Sequence, residues 1–415
     1  MAVEYVPRLV DPLLDAILMQ ASAVMVLGAR ACGKTTTAAQ RATTIVQLDA
    51  AAQAAAFEAD PDSALEGLPE PVLLDEWQAV PGVFGAARRS VDRKPTPNRF
   101  YLAGSVRAED DNDVWPGTGR FLRLSMYPMT VRERIGDAKS QAFLDKLANG
   151  DTLAVPDKTP DLRGYVDLAM ESGFPAAALL LTGRARRLWL QSYLADLLTH
   201  DVDELEESPT RRRDPDRLRR YFEAYVLNSA GVAEHSTIFA AAGITKPTAN
   251  SYERLLSRLL IVDQLPAWAS NRLRRLIRTP KRYVVDAALI GAALRLDTAA
   301  ILADGDLLGR VIDTFVVAQL RPEVVVAQSE PRLYHLRTQQ GRHEVDVIAE
   351  LGGSTVIGIE IKATAAPTVG DGRHLKWLRD ELGDRFIAGV VLHTGPRAYP
   401  LADKIVAAPI SAIWG

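Results

Sequence analysis

Gly28-Ala29-Arg30-Ala31-Cys32-Gly33-Lys34-Thr35 has the spacing G-x-x-x-x-G-K-[ST], the pattern of a loop that turns its backbone N–H groups onto the phosphates of a nucleotide. Ala23-Val24-Met25-Val26-Leu27 ahead of it reads as a buried strand, and Thr36-Thr37-Ala38-Ala39-Gln40-Arg41-Ala42 behind it as a helix. That is the context such a loop requires. In this reading Gly28, Ala29, Arg30, Ala31, Cys32, Gly33, Lys34, Thr35 and Thr36 line the site of a bound ATP. Lys34 reaches the β- and γ-phosphates, and Thr35 places its hydroxyl on Mg²⁺.

Downstream, the apolar run Val72-Leu73-Leu74 ends in Asp75-Glu76, as a central parallel strand does when it delivers carboxylates to a nucleotide crevice. Asp75 is expected to hold the magnesium ion through water. Glu76, one residue on, is expected to orient or deprotonate the attacking water. Phe100-Tyr101-Leu102-Ala103-Gly104-Ser105 gives another strand of this kind. Its terminal Ser105 either senses the γ-phosphate or is an ordinary polar residue at a strand-to-loop junction.

A chain of 415 residues with 47% apolar content has room for two to four domains. No stretch has the length of a membrane span and the first residues lack a signal-peptide pattern, so a cytoplasmic protein with no membrane partner is expected. The single cysteine, Cys32, excludes internal disulfides and a cysteine-rich zinc site, and its place in the loop marks it as an oxidation or alkylation handle. With a formal net charge of −3, any surface for nucleic acid has to be a local patch.

Leu122-Arg123-Leu124 reads as the fifth strand of the first sheet, after which helical periodicity takes over across residues 130–300. Polar stretches at 151–161 and 206–215 punctuate it as seams. Residues 217–228 read as an amphipathic helix, followed by Ser236-Thr237-Ile238-Phe239-Ala240-Ala241, a turn at Gly243, and a helix over 249–260 opened by Thr245-Lys246-Pro247-Thr248. This is a helix-turn-helix pattern. Arg272, Arg274, Arg275, Arg278, Lys281 and Arg282 just beyond it would supply phosphate contacts if the module reads DNA. If it is instead a packed connector, they form a solvated face. Arg211-Arg212-Arg213 is a weaker candidate beside the acidic run 201–207.

The last hundred residues return to α/β alternation. Glu344-Val345-Asp346-Val347-Ile348-Ala349-Glu350, a turn at Gly352-Gly353, and Thr355-Val356-Ile357-Gly358-Ile359-Glu360-Ile361-Lys362 predict a hairpin with Asp346 nearly opposite Glu360. A period of two puts Glu360 and Lys362 on one face and Ile357, Ile359 and Ile361 on the other, the expected core face. Asp346 and Glu360 would then bind a divalent metal, Lys362 would position or activate water against a phosphodiester, and Asp313 on a helix over 308–320 would add a further acidic ligand. With a helix over 371–382 and a strand over 387–392, the element order is α-β-β-β-α-β. Whether this fold cuts or is kept for binding or packing is left open by these residues.

Over nearly its full length the chain resembles prokaryotic AAA-type ATPases that carry a C-terminal domain of unknown function related to restriction-endonuclease-like, PD-(D/E)xK, folds. The resemblance rests on Gly28 to Thr35, Leu48-Asp49, Leu74-Asp75-Glu76-Trp77-Gln78, residues 100–105, Gly119-Arg120 and Tyr127-Pro128-Met129-Thr130. It continues through Ser172-Gly173-Phe174-Pro175, Trp189-Leu190-Gln191-Ser192-Tyr193, Pro280-Lys281-Arg282-Tyr283-Val284-Val285-Asp286, Glu344-Val345-Asp346 and Glu360-Ile361-Lys362. It implies ATP binding with Mg²⁺, a winged-helix-type module after the ATPase, and a nuclease-like tail. Arg120 matches the family's Gly-Arg as a finger or sensor, with Arg93 as a rival. The chain departs from the family at Ala103, where Thr is usual, and at Asp313, where Glu is usual. The shorter Asp313 side chain would favour Mn²⁺ over Mg²⁺ in the tail.

The expected fold is α/β throughout: a P-loop AAA-type ATPase domain at 1–135, a helical region at 136–300 with a winged-helix module at about 215–290, and a restriction-endonuclease-like domain at 301–415. The expected function is an ATP-hydrolysing switch that controls nucleic-acid cleavage or binding by its tail. Its alternatives are a signalling or scaffold ATPase whose inactive tail docks a protein partner, and an ATP-powered protein remodeller. Homo-oligomerisation is compatible with each.

Overall fold

The apolar runs that flank the glycine-rich loop form the strands of one parallel sheet in a computed structural model of the chain, which describes residues 4–104, 119–201, 214–268, 278–338 and 341–415. The described chain divides into two compact units, Met1–Met129 with Arg258–Leu260, and Thr130–Ser257 with Ile261–Gly415. No helix among the described residues is long and apolar enough to cross a membrane.

In the first unit β1 (Ala23–Leu27), β2 (Thr44–Gln47), β3 (Val72–Asp75), β4 (Phe100–Gly104) and β5 (Leu122–Ser125) assemble in the order β2-β3-β4-β1-β5. Every pairing is parallel. β3 and β4 are buried from end to end, as expected of strands covered on both faces. Helix Gly82–Arg93 turns Val83, Ala87 and Val91 inward at four-residue spacing, with Phe84 beside them, and these join Leu74, Leu102 and Phe57 in one core. A parallel sheet has all its strand ends on one edge. The register aligns Leu27 with Gly104 and Ser125, and Asp75 with Ala103, so the glycine-rich loop and the Asp-Glu pair leave the sheet on the same side.

The second unit is built on a six-stranded sheet of β8 (Arg332–Arg337), β9 (Glu344–Glu350), β10 (Val356–Ile361), β11 (Phe386–His393), β12 (Tyr399–Ala402) and β13 (Ile405–Pro409), in the order β12-β13-β11-β10-β9-β8. β9 and β10 pair antiparallel with Val356 against Glu350 and Ile359 against Val347. β10 is not the two-faced strand that its alternation suggests: all six of its residues are buried. Its neighbours are β9 on one side and parallel β11 on the other, and helices Gly305–Val326 and Arg373–Leu382 both lie against it. The face carrying Glu360 is therefore inside the protein and not on an open edge.

Ahead of this sheet come helices Pro215–Leu227, His235–Ala241 and Lys246–Arg258, then an antiparallel pair of β6 (Val262–Leu265) and β7 (Lys281–Val284). Lys281 and Arg282, expected on a solvated basic face, are instead buried strand residues. Arg282 pairs with Glu253 at 3.1 Å and donates to the carbonyl of Ala233 at 2.7 Å. Arg278 of that run is exposed. Arg272, Arg274 and Arg275 lie outside the described residues, as do Arg211, Arg212 and Arg213.

The segment from Thr130 belongs to this unit by its hydrogen bonds. Thr130 and Glu133 form a capping box at helix Val131–Arg134. Arg132, fully buried, pairs at 2.9 Å with Glu323 on helix Gly305–Val326 and donates to the carbonyl of Ile413 at 2.6 Å. Burial pushes the Glu323 carboxyl up to about 7 in spite of Arg132. The folded chain thus holds this proton more tightly than the unfolded chain, whose glutamate titrates near 4.5. The Glu323 contribution to stability should fall as the pH rises from about 4.5 to about 7. Urea denaturation across that range should show a shallower fall for Glu323→Gln than for wild type; parallel curves would remove Glu323 from the pH dependence.

Candidate functional site

The loop after β1 reaches its helix through two left-handed residues, Ala31 with φ 61° and Gly33 with φ 104°. Helix Lys34–Ala39 begins there. Gly28 has no room for a side chain, because a Cβ would lie 2.2 Å from the Met126 carbonyl oxygen and 2.8 Å from the Cys32 sulfur. Arg8, a residue that no sequence pattern distinguishes, is buried beneath the loop and donates to the carbonyls of Cys32 at 2.9 Å and Tyr127 at 2.8 Å. Cys32 is fully buried with its sulfur 3.7 Å from the Met126 carbonyl oxygen, which corrects the expectation of a reactive handle.

Lys34, nearly fully buried, folds its ammonium back onto the carbonyls of Gly28 and Ala29, each at 3.0 Å. Thr35 donates from Oγ1 to Asp75 Oδ1 at 2.7 Å, so the loop after β1 and the acid at the end of β3 meet although β4 lies between these two strands. Burial raises the Asp75 carboxyl above its ordinary range, with the Thr35 hydrogen bond opposing and Glu76 adding to the rise. A hydroxyl and a buried carboxylate are hard oxygen donors of the kind Mg²⁺ takes. Glu76 sits in the left-handed region with φ 47° and accepts a hydrogen bond from Gln78 Nε2, a partner not foreseen from sequence. Arg120 pairs with Asp92 at 3.0 Å, both partners largely exposed, and Arg93 approaches Asp62 at 3.7 Å. Such surface pairs are worth about 0–1 kcal/mol and are easily exchanged. Ser105 lies outside the described residues.

In the second unit the acids named from sequence are answered by a lysine that was assigned elsewhere. Lys281 Nζ lies 2.6 Å from Asp313 Oδ2 and 3.0 Å from Asp346 Oδ1. The other oxygens are taken as well: Tyr283 donates to Asp313 Oδ1 at 2.9 Å, and the Ile361 amide to Asp346 Oδ2 at 2.9 Å. Lys362 pairs with Glu360 Oε2 at 2.8 Å, while Glu360 Oε1 is buried without a hydrogen-bond partner. Burial opposes the charge on Lys281, but Asp313 and Asp346 outweigh it and hold the ammonium well above its ordinary range. Burial likewise opposes charge on Asp346, where Lys281 and then Lys362 prevail and hold the carboxyl down. Glu360 is raised by burial and then by Asp346. Among the described residues no group of three or more His, Cys, Asp or Glu side chains could hold a metal. The expectation of one metal held jointly by Asp313, Asp346 and Glu360 is corrected accordingly: Lys281 stands between the first two acids and Lys362 pairs with the third.

Two other sequence motifs turn out to be one structural tie. Asp286 accepts from the Ser172 hydroxyl at 2.9 Å and the Gly173 amide at 2.6 Å through Oδ2, and from the Ala288 amide at 2.9 Å through Oδ1.

Comparison with known proteins assigns the first of these sites to a class. Residues 20–135 match a family model described as an AAA domain, and the chain accordingly carries an ATP-binding, AAA-type P-loop ATPase domain. Residues 162–300 and 308–413 match two models described as domains of unknown function, DUF8612 and DUF4143. Uncharacterized proteins of Mycobacterium tuberculosis and Mycobacterium bovis are each 28% identical over 360 residues, covering 86% of this chain and 72% of theirs. The Walker-type ATPase PABY2304 of Pyrococcus abyssi superposes with a TM-score of 0.40 at 15% identity, over 69% of this chain and 94% of that one.

The tight packing at Gly28 gives a direct test of the loop. Gly28→Ala should destabilise the first unit by about 1–3 kcal/mol, as overpacking against rigid backbone does, and weaken nucleotide binding. Denaturation midpoints and titration with a fluorescent ATP analogue should move together; an Ala variant with wild-type stability would show that the loop can yield there.

Proposed function

We propose that this protein is a nucleotide-driven switch that binds ATP in the loop from Gly28 to Thr35 and hydrolyses it with Asp75 and Glu76. The observation that carries this reading is the 2.7 Å hydrogen bond from Thr35 to Asp75, which joins the phosphate-binding motif to the acid strand. Mg²⁺, when bound with ATP, neutralises phosphate charge and would be held by the Thr35 hydroxyl and by Asp75. For this, Thr35 gives up its bond to Asp75 and Lys34 leaves the carbonyls of Gly28 and Ala29 for the β/γ-phosphates. Glu76 leaves Gln78 to accept a proton from, or orient, the attacking water. Arg120 is the arginine proposed as finger or sensor, since its exposed pair with Asp92 costs little to break.

For the remainder of the chain our reading is a helical region at 136–300 containing a winged-helix module at about 215–290, and a restriction-endonuclease-like domain at 301–415. Three helices followed by the β6–β7 pair support the first assignment. The run of one long helix, β8, β9, β10, a helix and β11 supports the second.

Lys34→Ala should abolish tight nucleotide binding, whereas Glu76→Gln should keep binding and lose turnover by at least a hundredfold, the usual worth of a positioned base. Isothermal titration with ATP and a steady-state phosphate-release assay separate the two. Equal hydrolysis by wild type and Glu76→Gln would take Glu76 out of the mechanism.

A further inference from the structure

We infer that Lys281 is the resident cation of the C-terminal acid cluster: its ammonium fills the place between Asp313 and Asp346 that a bridging divalent ion would need, making the cluster a metal-free structural ion triad. A divalent ion bound by both acids would sit about 2.0–2.6 Å from one oxygen of each. Lys281 Nζ occupies that place at 2.6 Å and 3.0 Å, distances of charge-assisted N–H···O bonds. No carboxylate oxygen of the pair is left over, because the Tyr283 hydroxyl and the Ile361 amide fill the outer two. The remaining acid, Glu360, gives Oε2 to Lys362 and keeps Oε1 buried without a hydrogen-bond partner.

The lysine is also held in place along its backbone. Lys281 opens β7, opposite Leu265 of β6. The two ends of the connection between these strands are bonded to β8: the Trp268 amide donates to the His335 carbonyl at 2.7 Å, the His335 amide to the Pro266 carbonyl at 3.0 Å, and the His335 ring bonds the Thr279 carbonyl at 2.9 Å. These bonds tie the segment leading into β7 to β8, so Lys281 reaches the two acids from an anchored strand. The sheet that carries Asp346 and Glu360 is in this way kept folded by a cation supplied from the helical region. A metal shared by Asp313 and Asp346 has no place between them while Lys281 is seated there.

Binding of Mn²⁺ to the full-length, nucleotide-free protein, followed by its electron paramagnetic resonance signal, and thermal unfolding with and without MnCl₂ test this assignment. Wild type and Asp346→Asn should bind the same amount of Mn²⁺. Lys281→Ala should unfold several degrees lower than wild type and recover part of that loss in MnCl₂, and the recovery should vanish in Lys281→Ala/Asp346→Asn. Wild-type Mn²⁺ binding that disappears in Asp346→Asn would overturn the assignment, as would a Lys281→Ala protein with wild-type melting and no response to Mn²⁺. If Lys281→Ala does not fold, the comparison of wild type with Asp346→Asn decides alone, equal binding supporting the lysine and lost binding refuting it.

Discussion

Lys281 is buried between Asp313 and Asp346, and each of the three charges comes from a different element: β7, the helix Gly305–Val326, and β9. A charge taken out of water has to be answered where it lies, and removing one member of such a pair costs about 3–5 kcal/mol. That is a large share of the roughly 5–15 kcal/mol by which a folded chain exceeds its unfolded state. The contact thus fixes how the helical region, the long helix and the C-terminal sheet meet. Arg132 with Glu323, and Asp286 with Ser172 and Gly173, apply the same constraint at other seams of that unit.

In the first unit the constraint is the common edge of a parallel sheet. It brings the glycine-rich loop and Asp75 to one side, and it leaves the catalytic candidates satisfied by the protein itself: Lys34 by loop carbonyls, Thr35 by Asp75, and Glu76 by Gln78. A ligand shifts such an arrangement only by the difference in its affinity for the two states. In the proposed switch ATP would supply that difference by offering Lys34 phosphate oxygens in place of two neutral carbonyls.

The parts of this architecture that were legible in the sequence are those set by neighbours in the chain. The loop from Gly28 to Thr35 and the run ending in Asp75 carry their geometry in spacing, and counting outward from Gly352-Gly353 places Asp346 opposite Glu360 in line with the observed ladder. What was not legible depends on partners far along the chain. Lys281 lies in a basic run, and nothing near it announces that Asp313 and Asp346 will enclose it. The alternation of Ile and Glu in β10 suggests one wet face, but helix Arg373–Leu382 and strand β11, both later in sequence, close it off. Arg8 gains its role only from where the fold sets Cys32 and Tyr127.

A crystal of the full-length protein grown with a slowly hydrolysed ATP analogue and Mn²⁺, measured for anomalous scattering of manganese, addresses both sites in one map. The account predicts a peak beside Thr35 and Asp75, with Lys281 Nζ and no manganese between Asp313 and Asp346. A manganese peak between those two acids with Lys281 displaced would contradict it.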